Sequence, residues 1–377
     1  MKNFRLRVTA ALCAAVLLLT TACASTPAAS GGTPGGDGAK KVGVGFIFIG
    51  TKDDYGYNQA AYKGSLAVEE QLGDQVTVYR QENIPETSEA TRALEQMIQQ
   101  GATILFPTSY GHLDPALVAA AENPSCIFFH QGGLKTSENL GTYFGTIWES
   151  FYLCGIAAGM STESDELGFV ASFPIPQVLL NINAFELGAK SVNPDVTTTV
   201  VFTGSWSDPA AGTNAANSLI DGGADVIAQH QDSTKTIIGV CESRGVKSIG
   251  IHADASELAP EGWVTGAVWN WDDLFVDMTK TALAGEFKGS KYDGKYRGGL
   301  KEGVVDIAPF GKNVSQKIQD AVNEAKAKII SGDLFPFEGE IKDQDGNVKI
   351  KAGVRPSVDE METCDYLVEG CIGSVSQ

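Results

Sequence analysis

From Lys41 onward, apolar and polar positions alternate along the chain in two different rhythms. Short runs rich in β-branched residues are typical of buried strands, whereas apolar residues that recur every three or four positions are typical of helices. The short runs predict nine strands: Val42–Phe48, Val76–Arg80, Ile104–Pro107, Cys126–His130, Leu167–Ser172, Thr198–Thr203, Val226–His230, Ser248–His252 and Val264–Trp269. Because predicted helices such as Thr87–Gln100 alternate with them, we expect parallel sheets covered by helices on both faces.

The two halves of this pattern repeat the same motifs at a constant offset. Met97-Ile98 matches Leu219-Ile220, Gly101-Ala102 matches Gly223-Ala224, Ile104-Leu105 matches Val226-Ile227, and His130 matches His252. A strand–helix unit that recurs in this way predicts two similar α/β lobes, each with its own sheet. The ligand cleft of such a protein is expected between the lobes.

Several segments are expected to connect the lobes and to form a hinge. The helix-like Trp148–Met160 would cross from the first lobe to the second, and helix Asp272–Phe287 would return. Strand Gly303–Ile307 and helix Val314–Ser331 would then complete the second lobe. The predicted domains are lobe 1 at 40–160 plus 271–306, lobe 2 at 161–270 plus 307–353, and a C-terminal tail at 354–377 to which no function is assigned.

Residues 1–22 have the pattern of a secretory signal peptide. Three cations in Met1–Arg7 precede the apolar run Val8–Leu19, which is too short to span a bilayer as a helix. The small residues before Cys23 resemble a bacterial lipobox, which implies cleavage there and lipid attachment to the Cys23 sulfur. An ordinary signal peptide with an incidental cysteine is the alternative. The rest of 23–39 is rich in Ser, Thr, Gly and Pro and predicts a flexible tether.

Composition excludes one large class of function. The chain has 377 residues, of which 43% are apolar, so it can bury large cores. Its 46 acidic residues outnumber its 28 basic ones, and the net charge is −18. No run of basic residues offsets this charge, so a phosphate backbone would be repelled and nucleic-acid binding is not expected.

Five cysteines follow Cys23, and export would permit disulfides between them. Cys364 and Cys371 are the favoured pair because they would close a short polar loop near the C-terminus. For Cys126, Cys154 and Cys241, the apolar surroundings favour buried thiols over a Cys126–Cys154 bridge.

Ligands of open α/β folds bind beyond the carboxyl ends of the strands, so residues just after the strands are the candidates for binding. The candidates are Tyr57, Asn58, Ser109, Tyr110, Phe173, Trp206, Asp232, Asp254, Trp269 and Asn270. Aromatic residues at several strand ends exceed what packing requires, and their faces could stack on a planar ligand. Asp208, which precedes Pro209, fits either a helix N-cap or a ligand contact, and the N-cap is favoured.

Motifs for catalysis and for metal binding are weak. Pro107–Gly111 nearly matches a nucleophile elbow, but proline stands where the strained turn needs its first glycine. Neither a phosphate-binding loop nor a dinucleotide fingerprint occurs. The four histidines, His112, His130, His230 and His252, lie far apart in the sequence, and satisfied polar residues at strand ends are favoured over metal ligands. We therefore expect no enzyme, no cofactor and no metal site.

Six longer stretches are specific enough to compare with known families: FPTSYGHLDP (Phe106–Pro115), NLGTYFGTIWESFYLCGIAAG (Asn139–Gly159), GFVASFPIPQVLLNINAFELGAKSVNP (Gly168–Pro194), WSDPAAG (Trp206–Gly212), GADVIAQHQDS (Gly223–Ser233) and VWNW (Val268–Trp271). With these stretches, the chain from about Lys41 to Phe310 resembles the basic membrane lipoprotein (BMP, or purine-nucleoside receptor) family of ABC-transporter substrate-binding proteins. The resemblance implies a two-lobed periplasmic-binding-protein type I fold. It also implies a monomeric, lipid-anchored receptor outside the cytoplasm that delivers a purine base or nucleoside to an ABC permease in the membrane.

The resemblance further implies roles for individual residues. Tyr57 and Trp206 would sandwich a purine ring, and Asp254 would accept hydrogen bonds from ribose hydroxyls. The cation that nucleoside-binding relatives carry after the fifth strand is here Trp269 or Asn270, which favours a free base. Two other functions of the same fold stay open, namely a sugar receptor, since aromatic faces also stack on sugar rings, and a sensory co-receptor.

Overall fold

Two parallel sheets form the frame of the molecule, one in each lobe. The computed structural model describes residues 41–232 and 234–375. The predicted signal peptide, Cys23 and the tether lie outside the described residues. Of the helices in the described part of the chain, none is long and apolar enough to cross a bilayer.

The helices and strands follow one another along the chain as follows. The strands are β1 Val42–Ile47, β2 Val76–Gln81, β3 Ala102–Pro107, β4 Ile127–Gln131, β5 Leu140–Gly145, β6 Glu166–Ala171, β7 Thr197–Phe202, β8 Val226–His230, β9 Lys247–His252, β10 Trp263–Trp269, β11 Lys295–Gly298, β12 Val305–Ile307, β13 Ile341–Lys342, β14 Val348–Ile350 and β15 Cys371–Ile372. The helices are α1 Tyr57–Leu72, α2 Ser88–Gln99, α3 Leu113–Glu122, α4 Trp148–Ser161, α5 Pro176–Lys190, α6 Pro209–Asp221, α7 Lys235–Arg244, α8 Asp272–Leu283, α9 Gln316–Ser331 and α10 Val358–Met361.

The two sheets share one topology. The first has the order β2-β1-β3-β4-β5-β11, and the second has the order β15-β7-β6-β8-β9-β10-β12. Neighbouring strands are parallel, except that β12 runs antiparallel to β10. The first five strands of each lobe therefore have the same spatial order, as the repeat in the sequence predicts. All nine predicted strands are present, with ends that differ by at most two residues.

Strands β5 and β11 were not predicted from the pattern of apolar residues. Strand β5 is fully buried, but its sequence LGTYFG has glycine at its second and last positions and has no run of β-branched residues. Strand β11 has the sequence KYRG, and only its last residue is buried. Neither segment carries the local signal of a buried strand, and pairing with the neighbouring strand forms both.

Three chain crossings connect the lobes within the described residues: β5 to α4, β10 to α8, and β11 to β12. Helix α4 packs against α5, α9 and β10, so it belongs to the second lobe, and the boundary precedes Trp148 instead of following residue 160. Strand β12 pairs with β10 and also belongs to the second lobe. Helix α8 packs on α1 in the first lobe.

Helices α4 and α5 make the most extensive helix pair of the second lobe. A Cβ atom at Gly155 would lie 2.0 Å from the Phe185 carbonyl oxygen, and one at Gly188 would lie 2.0 Å from the Tyr152 carbonyl oxygen. The two helices approach this closely only because glycine stands at both contacts. The pair holds the second half of α5, whose start lies beside the cleft at Gln177.

The five described cysteines are free and buried. For Cys126, Cys154 and Cys241 this confirms the expectation of buried thiols. The predicted Cys364–Cys371 disulfide is wrong, because separate elements hold the two residues. The Cys364 sulfur lies 3.5 Å from the Asn183 amide nitrogen, whereas Cys371 lies in β15, which pairs with β7. The predicted tail therefore contributes residues 366–372 to the second lobe and its sheet.

A buried carboxyl group lies between helix α5 and strand β7 of the second sheet. Glu186 accepts a hydrogen bond of 2.6 Å from the Thr198 hydroxyl. Its other oxygen lies 3.7 Å from the Lys190 nitrogen and has no hydrogen-bond partner among the residues that the structure describes. Burial raises the pKa of Glu186 from 4.5 to about 7, against the opposing effects of Thr198 and Lys190. This carboxyl must give up favourable hydration to ionise in the folded protein.

We expect Glu186→Gln to change how stability depends on pH. In the unfolded chain Glu186 ionises near pH 4.5, while in the folded protein it keeps its proton until about pH 7. The wild type should therefore lose up to about 3 kcal/mol of unfolding free energy relative to the variant between these pH values. Urea unfolding of both proteins at pH 4.5 and pH 8 measures this difference, and parallel pH profiles would contradict it.

Candidate functional site

The carboxyl ends of both sheets face a cleft between the lobes. Its outer cavity has a volume of about 600 Å³. The residues that line it are Ile49, Gly50, Thr51, Asp54, Asn58, Asn83, Phe173, Gly204, Ser205, Trp206, Ser207, Pro209, Asp232 and Lys235. They follow strands of both lobes, so a ligand there would touch both.

A second, inner cavity of about 20 Å³ lies next to the outer one, since Trp206 and Asp232 line both. Its other lining residues are Tyr57, Ser109, Tyr110, Phe144, Gln177 and His230. Space of this size suits a single small group and excludes a whole ring unless the lobes shift. A ring held against Trp206 could extend one polar edge into it.

The start of α1 is held by one buried carboxylate. Asp54 accepts hydrogen bonds from the backbone nitrogens of Gly56, Asn58 and Gln59 at 2.8, 3.0 and 3.0 Å, and from the Asn58 side chain at 2.8 Å. The Asn58 side-chain oxygen accepts in turn from the Gly50 nitrogen at 3.0 Å. Burial raises the pKa of Asp54, although these hydrogen bonds oppose the shift. Asn58 is therefore presented to the outer cavity in one orientation.

The same turn joins the two lobes directly. The Thr234 hydroxyl donates to the Tyr55 carbonyl at 2.7 Å, the Tyr57 nitrogen donates to the Asp232 carbonyl at 3.2 Å, and the Tyr55 hydroxyl donates to Glu257 at 2.5 Å. Tyr55 has a φ of 56°, a left-handed conformation that is costly for a bulky residue. These contacts close the cleft beside α1.

Aromatic rings form much of the cleft wall. Phe173 and Trp206 meet edge to face with 5.2 Å between ring centroids, and Trp206 lies 6.1 Å from His230. Tyr57 contacts His252 edge to face at 5.1 Å. Burial lowers the pKa of His230 to about 3 and that of His252 well below its usual range, so both rings are neutral. These rings therefore offer the cleft apolar faces and no positive charge of their own.

Asp232 is the acid that most distinguishes the site. Within residues 41–232 and 234–375 its carboxylate accepts no hydrogen bond, and its backbone nitrogen donates to the Trp206 carbonyl at 2.9 Å. Burial raises the pKa of Asp232 well above its usual range, and the negative charges of Asp54 and Glu86 add to the effect. A buried acceptor without a partner favours a ligand that donates hydrogen bonds to it.

The structure brings seven of the ten predicted residues to these two cavities: Tyr57, Asn58, Ser109, Tyr110, Phe173, Trp206 and Asp232. Asp254 is exposed and accepts from the Ser256 nitrogen. Asn270 is exposed and lines a separate surface pocket. Trp269 is buried behind Phe144 and donates to the His252 ring at 2.8 Å. Asp208 is an N-cap, accepting from two backbone nitrogens of α6.

The lining residues absent from the sequence-based set include Asp54, Phe144, Gln177, His230 and Lys235. Asp54 and Lys235 stand in loops or helix starts after strands, so the strand-end rule could have found them. Phe144 lies in the unpredicted strand β5, and Gln177 lies in the first turn of α5. No group of acidic, histidine or cysteine side chains in the described part of the chain is arranged to hold a metal ion.

Known proteins resemble this chain over most of its length. The family model "Bmp: ABC transporter substrate-binding protein PnrA-like" matches residues 41–336. A purine-binding protein of Brucella abortus (strain 2308) is 36% identical over 331 residues, which cover 88% of this chain and 93% of that protein. A protein of Haloferax volcanii, provisionally named ABC transporter glucose-binding protein TsgA13, is 35% identical over 304 residues, which cover 79% of this chain and 76% of that protein.

A solved structure supports the fold. An ABC transporter solute-binding protein from Conexibacter woesei superposes with a TM-score of 0.64 at 21% sequence identity, covering 78% of this chain and 98% of that one. The similarity confirms the predicted α/β fold of the periplasmic-binding-protein type.

We expect Gly56→Ala to push the lobes apart at the cleft. A Cβ at this position would lie 1.9 Å from the Asp232 carbonyl oxygen, a backbone atom that cannot rotate away. Overpacking of this kind costs about 1–3 kcal/mol, and lobe opening relieves it. Small-angle X-ray scattering should show a larger radius of gyration for the variant.

Gly239→Ala is the matched control for this experiment. A Cβ at Gly239 meets no atom within 4 Å, and the residue lies in α7 of the second lobe. If the scattering curves of the two alanine variants superimpose, the contact at Gly56 does not hold the lobes together.

Proposed function

Because the chain belongs to the Bmp family of PnrA-like ABC transporter substrate-binding proteins, we propose that its interlobe cleft binds a purine base or a purine nucleoside. The observation that carries the proposal is the buried carboxyl group of Asp232, which accepts no hydrogen bond from the residues that the structure describes and lies beside the aromatic faces of Trp206 and Phe173. The resemblance found in the sequence is confirmed at the level of the family.

Purines suit this combination of groups. Their flat, apolar faces gain from contact with the rings of Trp206 and Phe173, and their edges carry N–H groups that can donate to a carboxyl oxygen. The Asn58 amide, fixed by Asp54 and Gly50, can exchange hydrogen bonds with a second edge of the base. The relative from Brucella abortus is named as a purine-binding protein, which supports the same ligand class.

We propose further that a free base is preferred over a nucleoside. Asp254, the expected partner of ribose hydroxyls, is exposed outside the two cavities, and Asn270 lines a different pocket. Phe144 lines the inner cavity, and the Trp269 ring packs against it with 4.8 Å between the ring centroids. The space behind the inner cavity is therefore filled by apolar rings. A sugar on that side would lose hydration without gaining polar partners.

The proposed physiological role is to capture the purine so that it can be imported. The chain would hold its ligand outside the cytoplasm, anchored by lipid on Cys23, and deliver it to an ABC permease as a monomer. No catalytic step is part of this role, since closure of two lobes around a ligand suffices to signal that it is bound. Family membership supports the role of a substrate-binding protein.

A sugar is the second candidate ligand. The relative from Haloferax volcanii, which is provisionally named as glucose-binding, is almost as similar as the purine-binding one. Aromatic faces such as Trp206 also stack on pyranose rings. Sensory reporting to a membrane partner is a third use of the same cleft and is compatible with either ligand.

A thermal-shift screen against purine bases, nucleosides and common sugars tests the ligand class. A ligand that binds only the folded state adds about 2.7 kcal/mol of stability at a hundred times its dissociation constant. We expect adenine, guanine or hypoxanthine to raise the melting temperature more than the matching nucleosides. A response to sugars with no response to any purine would replace the purine by a sugar as the ligand.

We expect Asp232→Asn to weaken binding of the purine identified in that screen by about 1–3 kcal/mol, because the amide leaves part of the base's hydrogen-bonding edge unmatched in a buried site. Asp254→Asn makes the same substitution at an exposed site of the same lobe, and we expect little change. Isothermal titration calorimetry measures both affinities. Equal losses in the two variants would show a general charge effect and remove Asp232 from the site.

A further inference from the structure

The C-terminal segment 357–372 contacts both lobes. The segment lies after residues 41–336, which the family model matches, and its contacts with α5 and β7 tie it to the second lobe. Helix α10, near the start of the segment, reaches the first lobe instead, at the edge strand β11. A segment held at both of its ends by different lobes can restrain their movement.

On the side of the first lobe, the contact is an ion pair that is almost buried. The Arg297 Nε atom donates to Glu362 at 2.5 Å, and the two side chains are 8% and 12% exposed. Arg297 also donates to the Gly133 carbonyl at 3.0 Å. Lys295 pairs with Asp359 and lies 3.8 Å from Glu362. Two cations of β11 thus face two acids of the C-terminal segment.

On the side of the second lobe, one amide side chain anchors the backbone. Asn183 of α5 donates to the Tyr366 carbonyl and accepts from the Val368 nitrogen, both at 2.9 Å. Leu367 and Val368 are each 1% exposed, so the anchor lies in the core. Strand β15 then pairs in parallel with β7. This end of the segment cannot move without opening the second lobe's core.

The segment lies directly behind the ligand cavities. A void of about 20 Å³ is lined by Met361 and Glu362 together with Phe144, Gln177 and the start of α4. Phe144 and Gln177 also line the inner cavity of the cleft. The Gln177 side chain donates at 3.1 Å to the carbonyl of Gly132. The next residue is Gly133, whose carbonyl accepts from Arg297. One layer of side chains therefore separates the segment from the site.

We propose that residues 357–372 form a strap that ties the two lobes beside the β5–α4 crossing, and that the Arg297–Glu362 pair resists lobe opening. Movement of β11 away from α10 would separate two charges that water hardly reaches, which is costly for both. The strap thereby holds Phe144 and Gln177 in place and shifts the lobes toward the closed arrangement. This inference does not depend on which ligand the cleft binds.

The test measures the distance between the lobes without ligand. Spin labels on Val118→Cys in α3 and on Val192→Cys in the second lobe report it, since both positions are exposed and the described native cysteines are buried. The measured quantity is the ratio of molecules with a short distance between the two labels to molecules with a long one. We expect Glu362→Gln to lower this ratio about tenfold. Glu369→Gln is the matched control, because Glu369 is exposed on the same segment and faces no cation of β11.

A distance distribution in folded Glu362→Gln that superimposes on that of the parent would overturn the proposal, as would an equal shift in Glu369→Gln. If Glu362→Gln does not fold, Asp359→Asn serves in its place, because this acid is exposed and pairs with Lys295. It should shift the distribution in the same direction by a smaller amount. No shift in a folded Asp359→Asn protein would equally overturn the strap.

Discussion

The close approach of Gly56 to the Asp232 carbonyl is the contact on which the cleft depends. Any side chain at position 56 would occupy the place of that oxygen, so the first turn of α1 meets the loop after β8 backbone to backbone. The contact brings Tyr57 and Trp206, which come from different lobes, to the walls of one cavity. Tyr55 holds a strained conformation at the same point, and its hydrogen bonds to the second lobe offset that strain.

Desolvation explains why one acid of the cleft differs from the other. Asp54 and Asp232 are both buried, and burial raises the pKa of each. Asp54 receives four hydrogen bonds from the start of α1, whereas the Asp232 carboxylate receives none within the described residues. Asp54 therefore stabilises the start of α1, whereas the Asp232 carboxyl group can form hydrogen bonds with a ligand. The neutral imidazoles around it supply no competing positive charge.

The lobes are linked at two opposite ends of the cleft. Beside α1, a few hydrogen bonds join Tyr55 and Tyr57 to the second lobe, and such contacts can break without exposing a core. Beside the chain crossings, the ion pair of Arg297 with Glu362 joins β11 to the C-terminal segment. Because this pair is almost buried, salt screens it weakly and its separation costs more. Opening of the lobes therefore breaks the contacts beside α1 easily and meets its greater resistance at the Arg297–Glu362 pair.

The sequence by itself determined the strand–helix alternation, the repeat of two lobes and the family, because apolar periodicity and long motifs are local properties of the chain. Seven of the ten predicted site residues lie at the cleft for the same reason, since the carboxyl ends of parallel strands share one edge. Only the tertiary structure decided which way each side chain points: Trp269 turned inward to His252, while Asp254 and Asn270 turned to solvent. Strand β5, the free cysteines and the place of the C-terminal segment were likewise set by packing between residues distant in the chain, which no local pattern encodes.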